Sequence, residues 1–189
     1  MYTSLRTDVA FLQLKQMYIH ITLWRVAFFT HVFTSMFALV AGFTQFSKTL
    51  LKKKPKLHRT MGYIYVVDIL FVTGPSGLIM SYYANGGISS QIAFGLLSVL
   101  WIVFTAIALN KAIKKDFISH KKFMIRSYAL TLSALSLRTW KVLLAQFTHL
   151  APMDRYRIIA WLGWGLNLLI AEIIILQQMK KNLSKRGEI

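Results

Sequence analysis

The chain contains no cysteine. That absence excludes disulfides, thiolate metal sites, iron–sulfur clusters and cysteine nucleophiles. Acidic residues are scarce: six Asp and Glu stand against 23 Lys and Arg in 189 residues. They are too few and too scattered for a hydrolase built on paired carboxylates. Charge of either sign is low, 15% of residues, where a typical globular protein carries about 25%. Hydrophobic residues make up 56%. A water-soluble fold could not cover its surface from this stock. Also missing are a Gly-rich phosphate loop, a His-Glu-x-x-His pair, a serine nucleophile elbow, internal repeats and low-complexity tracts. The first 23 residues carry Arg6, Asp8 and Lys15 and offer no cleavage site after an apolar core, so no cleavable signal peptide is expected.

What is present are hydrocarbon-length apolar runs. A membrane-crossing helix needs about 20 mostly apolar residues for about 30 Å of hydrocarbon. Five stretches qualify, from about Trp24 to Phe46, Met61 to Tyr83, Ile92 to Ile113, Phe123 to Thr148 and Ile158 to Met179. None alternates with period two, which excludes barrel strands. The expectation is an all-α, polytopic transmembrane helical bundle forming one domain over residues 1–189, with residues 1–23 as an outer interfacial segment in which Val9–Leu12 and Tyr18-Ile19 lie on the membrane.

The net charge of +17 does not point to nucleic acid, because the basic residues sit in short runs between apolar stretches. Ser47–Arg59, Asn110–Lys122 and the tail after Met179 together hold fifteen Lys and Arg, whereas the amino-terminal segment through Arg25, the Asn85-Gly86-Gly87 turn and His149–Arg157 hold five. The positive-inside rule puts the first group in the cytoplasm against anionic lipid, with the amino terminus out and the carboxy terminus in. Trp24, Trp140, Trp161 and Tyr83 then fall near the outer interface. An odd number of spans with an outer amino terminus fits either the interfacial segment or a sixth, preceding helix that the chain lacks.

Ionisable groups at membrane depth are costly and point to function. His31, Asp68, Arg126, Arg138 and Glu172 are such groups. At 1.5 Å per residue, His31 lies about 10 Å from the outer surface, and Asp68 and Glu172 about 10 Å from the inner one. Two layers are expected: His31 with Arg138, and Asp68 with Glu172 near Arg126. His58 and His120 each begin a helix on the cytoplasmic side. At 100° per residue, His58 shares a stripe with Gly62, Tyr65, Ile69 and Ser76; His120 with Met124, Ser127, Thr131, Ala134 and Arg138; and His31 with Ser35, Ala38, Gly42 and Gln45. These small and polar stripes should face the bundle interior. Gly74-Pro75-Ser76-Gly77 should bend the second span and free backbone carbonyls within it.

Two strings resemble a known family. His58-Arg59-Thr60-Met61-Gly62-Tyr63-Ile64-Tyr65 is similar to an H-R-x-x-G-x-x-Y signature. His120-Lys121-Lys122-Phe123-Met124-Ile125-Arg126-Ser127-Tyr128-Ala129-Leu130-Thr131, followed by Leu137-Arg138, is similar to H-x-x-W-M-x-R-S-Y-A-L-T … L-R, with Phe123 in place of Trp. His31 ahead of Gly42-Phe43-Thr44-Gln45-Phe46 fits the same pattern. Together they resemble the domain-of-unknown-function family 2306, multi-pass proteins of the bacterial cytoplasmic (inner) membrane. The resemblance runs from about Phe11 to Arg138. It implies an extra helix ahead of Phe11 in most members, and site positions at Arg59, Gly62, Tyr65, Met124, Ser127 and Tyr128 beside the three histidines. It implies no activity.

The residues therefore leave three functional readings open. Facing histidines, His58 with His120, or His31, can ligate haem b in a redox protein; no other metal site is expected. Asp68, Glu172 and Arg138 can serve a small-solute or proton transporter. Alternatively the polar groups hold helices together in a structural or assembly subunit, with a protein partner or a second copy of the chain.

Overall fold

In a computed structural model, which describes residues 17–184, every regular element is a helix. In chain order they are α1 (Thr22–Gln45), α2 (Lys48–Lys53), α3 (Pro55–Val67), a π-helix (Asp68–Thr73), α4 (Gly74–Tyr82), α5 (Ile88–Ile113), α6 (Phe117–Thr131), α7 (Ser133–Phe147) and α8 (Pro152–Ser184). Four helical stretches among the described residues are long and apolar enough to cross a membrane: Thr22–Gln45, Pro55–Tyr82, Ile88–Ile113 and Pro152–Lys181. They match four of the five expected spans. The expected interfacial segment falls largely on residues 1–16, outside the described residues.

The expected span from Phe123 to Thr148 is instead two helices of 15 residues each, α6 and α7, which meet at a turn on Leu132. Each is about 22 Å long, short of the hydrocarbon thickness. The break is held from α8. Asn167 Nδ2 donates to the Ala129 carbonyl at 3.1 Å, and its Oδ1 accepts from the Ser136 hydroxyl at 2.9 Å. One amide thus clips both sides of the turn. The pair still carries the chain from one end of the bundle to the other. Arg157 Nε, near the start of α8, donates to Gly86 O at 2.9 Å, and Trp161 Nε1 to Ser89 Oγ at 3.1 Å, placing the start of α8 beside the start of α5. Over the described residues the chain crosses the bundle five times, four times as one long helical stretch and once as a broken pair.

Packing is inverted relative to a water-soluble bundle. Large apolar side chains such as Phe37 and Phe71 are 65% and 73% exposed. The helix contacts are lined by Ala38, Ala41, Gly42, Ala93, Thr105, Ala108, Ser127 and Ala171, all buried. Lipid tails solvate Leu and Phe as well as a protein core does, so close backbone approach by small residues drives association. Gly42 shows this most directly: a Cβ there would lie 2.6 Å from ring atoms of both Tyr65 and Tyr128. Trp24 stands in the first turn of α1 and packs inward. It is buried, stacked on Phe28 at 5.4 Å, at the centre of a small core with Tyr18 and Tyr83.

The connectors follow the local signals. Gly86 and Gly87 both have positive φ, +88° and +75°, which a side chain would strain. At the opposite end, Asp116 caps α6. Its Oδ1 accepts from the Ser119 N–H at 3.1 Å and its Oδ2 from Lys111 Nζ at 3.1 Å. The hydrogen bonds from Ser119, with Lys111 beside them, hold the Asp116 carboxyl down at about 2. This contribution is complete above the ordinary carboxylate range and is lost as the pH falls through about 2.

Asn167→Ala should lower the thermal midpoint of the detergent-solubilised protein, with a stability loss of about 1–2 kcal/mol for two interhelical hydrogen bonds. Leu169→Ala, on an exposed face of the same helix, should leave the midpoint within scatter.

Candidate functional site

The residues of the two motifs meet in the bundle interior. Tyr65, fully buried on α3, places its hydroxyl 2.8 Å from Ser127 Oγ and 2.8 Å from Thr131 Oγ1 on α6. Trp101 Nε1 on α5 donates to Thr131 Oγ1 at 3.0 Å, and Thr105 Oγ1 lies 2.7 Å from Ser127 Oγ. Thr131 and Thr105 also donate back to Ser127 O and Trp101 O, the usual resort of a helical threonine. Five side chains on three helices thus satisfy one another without water. Tyr128 donates to Leu39 O at 3.3 Å, and Gln45 Nε2 donates to His58 O at 3.2 Å with Oε1 against Gly62. Met124 is buried in the same core. Much of what the motifs encode is therefore the joint between α1, α3, α5 and α6.

A second polar cluster lies at the break in the second span. Pro75 has no N–H and its ring displaces the carbonyl four residues back, so a regular ladder cannot run through it. The helix answers upstream by widening into the π-helix Asp68–Thr73, closed by the Gly74 N–H on Ile69 O. The Thr73 carbonyl, at the junction of the π-helix and α4, accepts from Ser76 Oγ at 3.0 Å and from His31 Nδ1 at 2.9 Å. A carbonyl only accepts, so His31 carries its proton on Nδ1. The Thr73 hydroxyl donates to Asp68 Oδ1 at 2.6 Å and lies 3.1 Å from the Thr34 hydroxyl. Asp68 is only 9% exposed, and its Oδ2 is buried with no hydrogen-bond partner among the described residues. The His31 ring lies edge-on to Trp101, 6.5 Å between centroids, which links this cluster to the hydroxyl joint.

The expected layers are paired differently. His31 joins Asp68 through Thr73, while Glu172 pairs with Arg126, through Nε–Oε1 at 2.5 Å and Nη2–Oε2 at 2.8 Å. Arg126 also lies 5.0 Å from the centroid of the Phe123 ring. Arg138 is exposed and donates to Ala134 O one turn back on its own helix. The stripe from His120 through Thr131 faces inward as expected, but it does not continue to Ala134 and Arg138, because the turn at Leu132 rotates everything beyond it. Arg59 is exposed at the basic end. His58 and His120 lie at that end as neighbours. His120 Nδ1 donates to Ala108 O at 2.8 Å; His58 Nδ1 is buried without a partner among the described residues.

Sequence reasoning missed Thr34, Thr73, Trp101, Thr105 and Asn167. Their one signal is a hydroxyl, indole or amide inside an apolar run, which does not say whether it faces lipid or a neighbouring helix.

A family model described as "Predicted membrane protein (DUF2306)" matches residues 28–175. No curated protein and no solved structure matches the chain. The matched stretch contains both polar clusters, the histidine pair and the Asn167 clip.

Tyr65→Phe removes one hydroxyl shared by two partners. It should cost about 1–2 kcal/mol of stability in detergent unfolding. Gly42→Leu should cost more than that, since two aromatic rings already fill the space.

Proposed function

The chain belongs to the DUF2306 family of predicted membrane proteins, and within that family we propose that it binds and releases a proton inside the membrane at Asp68, as part of proton-linked transport of a small solute. The observation that carries this reading is a buried carboxyl with one satisfied oxygen and one unsatisfied oxygen. An ionised carboxylate at membrane depth costs several kcal/mol unless paired, and no cation faces this one among the groups described around it. Protonation relieves that cost, so the group can alternate between charged and neutral states as its surroundings change. Thr73 bridges Asp68 to His31, accepting from its Nδ1 through the carbonyl and donating to Asp68 through the hydroxyl. The π-helix that begins at Asp68 adds to this reading, since such segments are frequent at functional sites. Glu172 and Arg138 have no part in this reading, because one is paired with Arg126 and the other is exposed. The reading takes the lysine-rich end as cytoplasmic, against anionic lipid of a bacterial inner membrane.

The test is proton flux into liposomes loaded with a pH-sensitive dye, driven by a potassium diffusion potential. Asp68→Asn should reduce the flux about tenfold or more, as expected for removal of an intramembrane proton carrier. Arg138→Gln should leave it unchanged. Equal fluxes for wild type and Asp68→Asn would end the proposal.

A second reading is supported by the histidine pair. With Nδ1 tied to a backbone carbonyl, His120 would have Nε2 to offer a haem iron. His58 is its neighbour on α3 and would be the second ligand, and Arg59, Lys121 and Lys122, next to them in sequence, would supply positive charge for the haem carboxylates. The purified protein, made with haem supplied, should then show visible bands that shift on reduction and are lost in His120→Ala. Folded, colourless wild-type protein removes this reading.

A further inference from the structure

We propose that the chain pairs with a second copy of itself in the membrane, through a lipid-facing stripe of α8 and the Arg126–Glu172 ion pair beside it. On α8, Leu162, Gly165, Leu169, Glu172, Leu176 and Met179 follow one another at alternating steps of three and four residues. That spacing puts them on one face and is the seam of a left-handed helix pair. The face lies on the outside of the bundle: Leu169 and Leu176 are 57% and 56% exposed. Gly165 is its low point. A Cβ there would meet nothing within 4 Å, so no side chain among the described residues uses the space. In hydrocarbon such a notch lets two helix backbones approach closely.

The ion pair identifies what covers the stripe. Glu172 lies about 10 Å inside the inner surface at 1.5 Å per residue, too deep for headgroup phosphates to meet it. Yet the Glu172 side chain is 40% exposed and that of Arg126 20%. Arg126 uses two of its five N–H groups, both on Glu172, and each Glu172 oxygen accepts once. The remaining donors and lone pairs have no partner among the described residues, and hydrocarbon supplies no water in its place. Acyl chains offer nothing to either ion. A helix bearing only an acid answers the guanidinium and crowds the carboxylate; one bearing only a base does the reverse. A second such pair answers both. Two copies of one chain share an orientation in the bilayer, so a two-fold axis relating them runs along the membrane normal. The pair runs sideways from α6 to α8, and a half-turn about that axis reverses it. The two dipoles then meet antiparallel, each guanidinium towards the other copy's carboxylate.

The test uses the full chain in phosphatidylcholine liposomes, because detergent alkyl chains compete for the stripe in micelles. The chain has no cysteine, so single ones can be introduced without background. In a parallel two-fold pair each seam residue faces its own copy. Leu176→Cys should therefore oxidise to a disulfide-linked dimer, whereas Ile174→Cys, exposed on another face of α8, should not. Energy transfer between donor- and acceptor-labelled Lys180→Cys copies should persist on dilution with lipid. Gly165→Trp, which fills the notch from open space, should weaken association about tenfold or more. Arg126→Met combined with Glu172→Met removes the pair without leaving a lone charge, and should weaken it by about as much. Both variants should keep the wild-type helical circular dichroism, so the loss reads the interface and not the fold. Wild-type transfer at the level of random encounter, or wild-type association in either variant, overturns the proposal. So does a disulfide through Ile174→Cys in place of Leu176→Cys.

Discussion

The Tyr65 hydroxyl, shared between Ser127 and Thr131, is the contact on which the rest of the bundle depends. Inside hydrocarbon a polar side chain has no water to fall back on, so it must find another helix or its own backbone. Tyr65 reaches across from α3 to α6, Trp101 and Thr105 join from α5, and Gly42 on α1 makes room for the ring. Apolar contacts alone cannot register these helices, because lipid competes for them on equal terms. Directional hydrogen bonds among small residues do. The register they set then places everything else, including the π-helix that follows Tyr65 by a few residues.

Against that satisfied joint, the Asp68 cluster stands out as incomplete. Ser127, Thr131, Thr105 and Tyr65 all have partners, whereas Asp68 keeps one oxygen without any among the described residues. Both clusters are buried and both rest on hydroxyls. They differ in that one contains no group that changes charge near neutral pH and the other contains a carboxyl and an imidazole. A joint that must stay closed is built from neutral hydroxyls. A group that cannot be fully satisfied in either charge state is a place where a proton or a ligand makes a difference. The Arg126–Glu172 pair is intermediate: ionised and bidentate, with each carboxylate oxygen accepting from Arg126, it ties α6 to α8.

Two breaks shape the bundle, and they were unequally visible. Pro75 announces the first, since a missing N–H interrupts a ladder wherever it falls. Nothing in Thr131-Leu132-Ser133 announces the second. It exists because Asn167, on a helix that comes much later in the chain, accepts the role of hydrogen-bond partner on both sides of the turn. The consequence reaches Arg138. A helical wheel carried through Leu132 aims it at the interior with His31; the turn rotates it to the outside instead.

Composition and the length of the apolar runs determined by themselves that this is a helical membrane protein, because only helices satisfy their own backbone across hydrocarbon and five runs have the necessary length. The two motif strings likewise determined the family and most residues of the joint, since periodicity alone places Tyr65, Ser127 and Thr131 on inward stripes. Tertiary structure alone decided the pairing: His31 with Asp68 rather than Arg138, Glu172 with Arg126, and one expected span divided in two. The physical reason is that depth along a helix can be counted from its ends, while the partner of a polar atom depends on how helices far apart in sequence are rotated against one another. That rotation is set by contacts such as Tyr65–Ser127 and Asn167–Ala129, which have no signature within either segment.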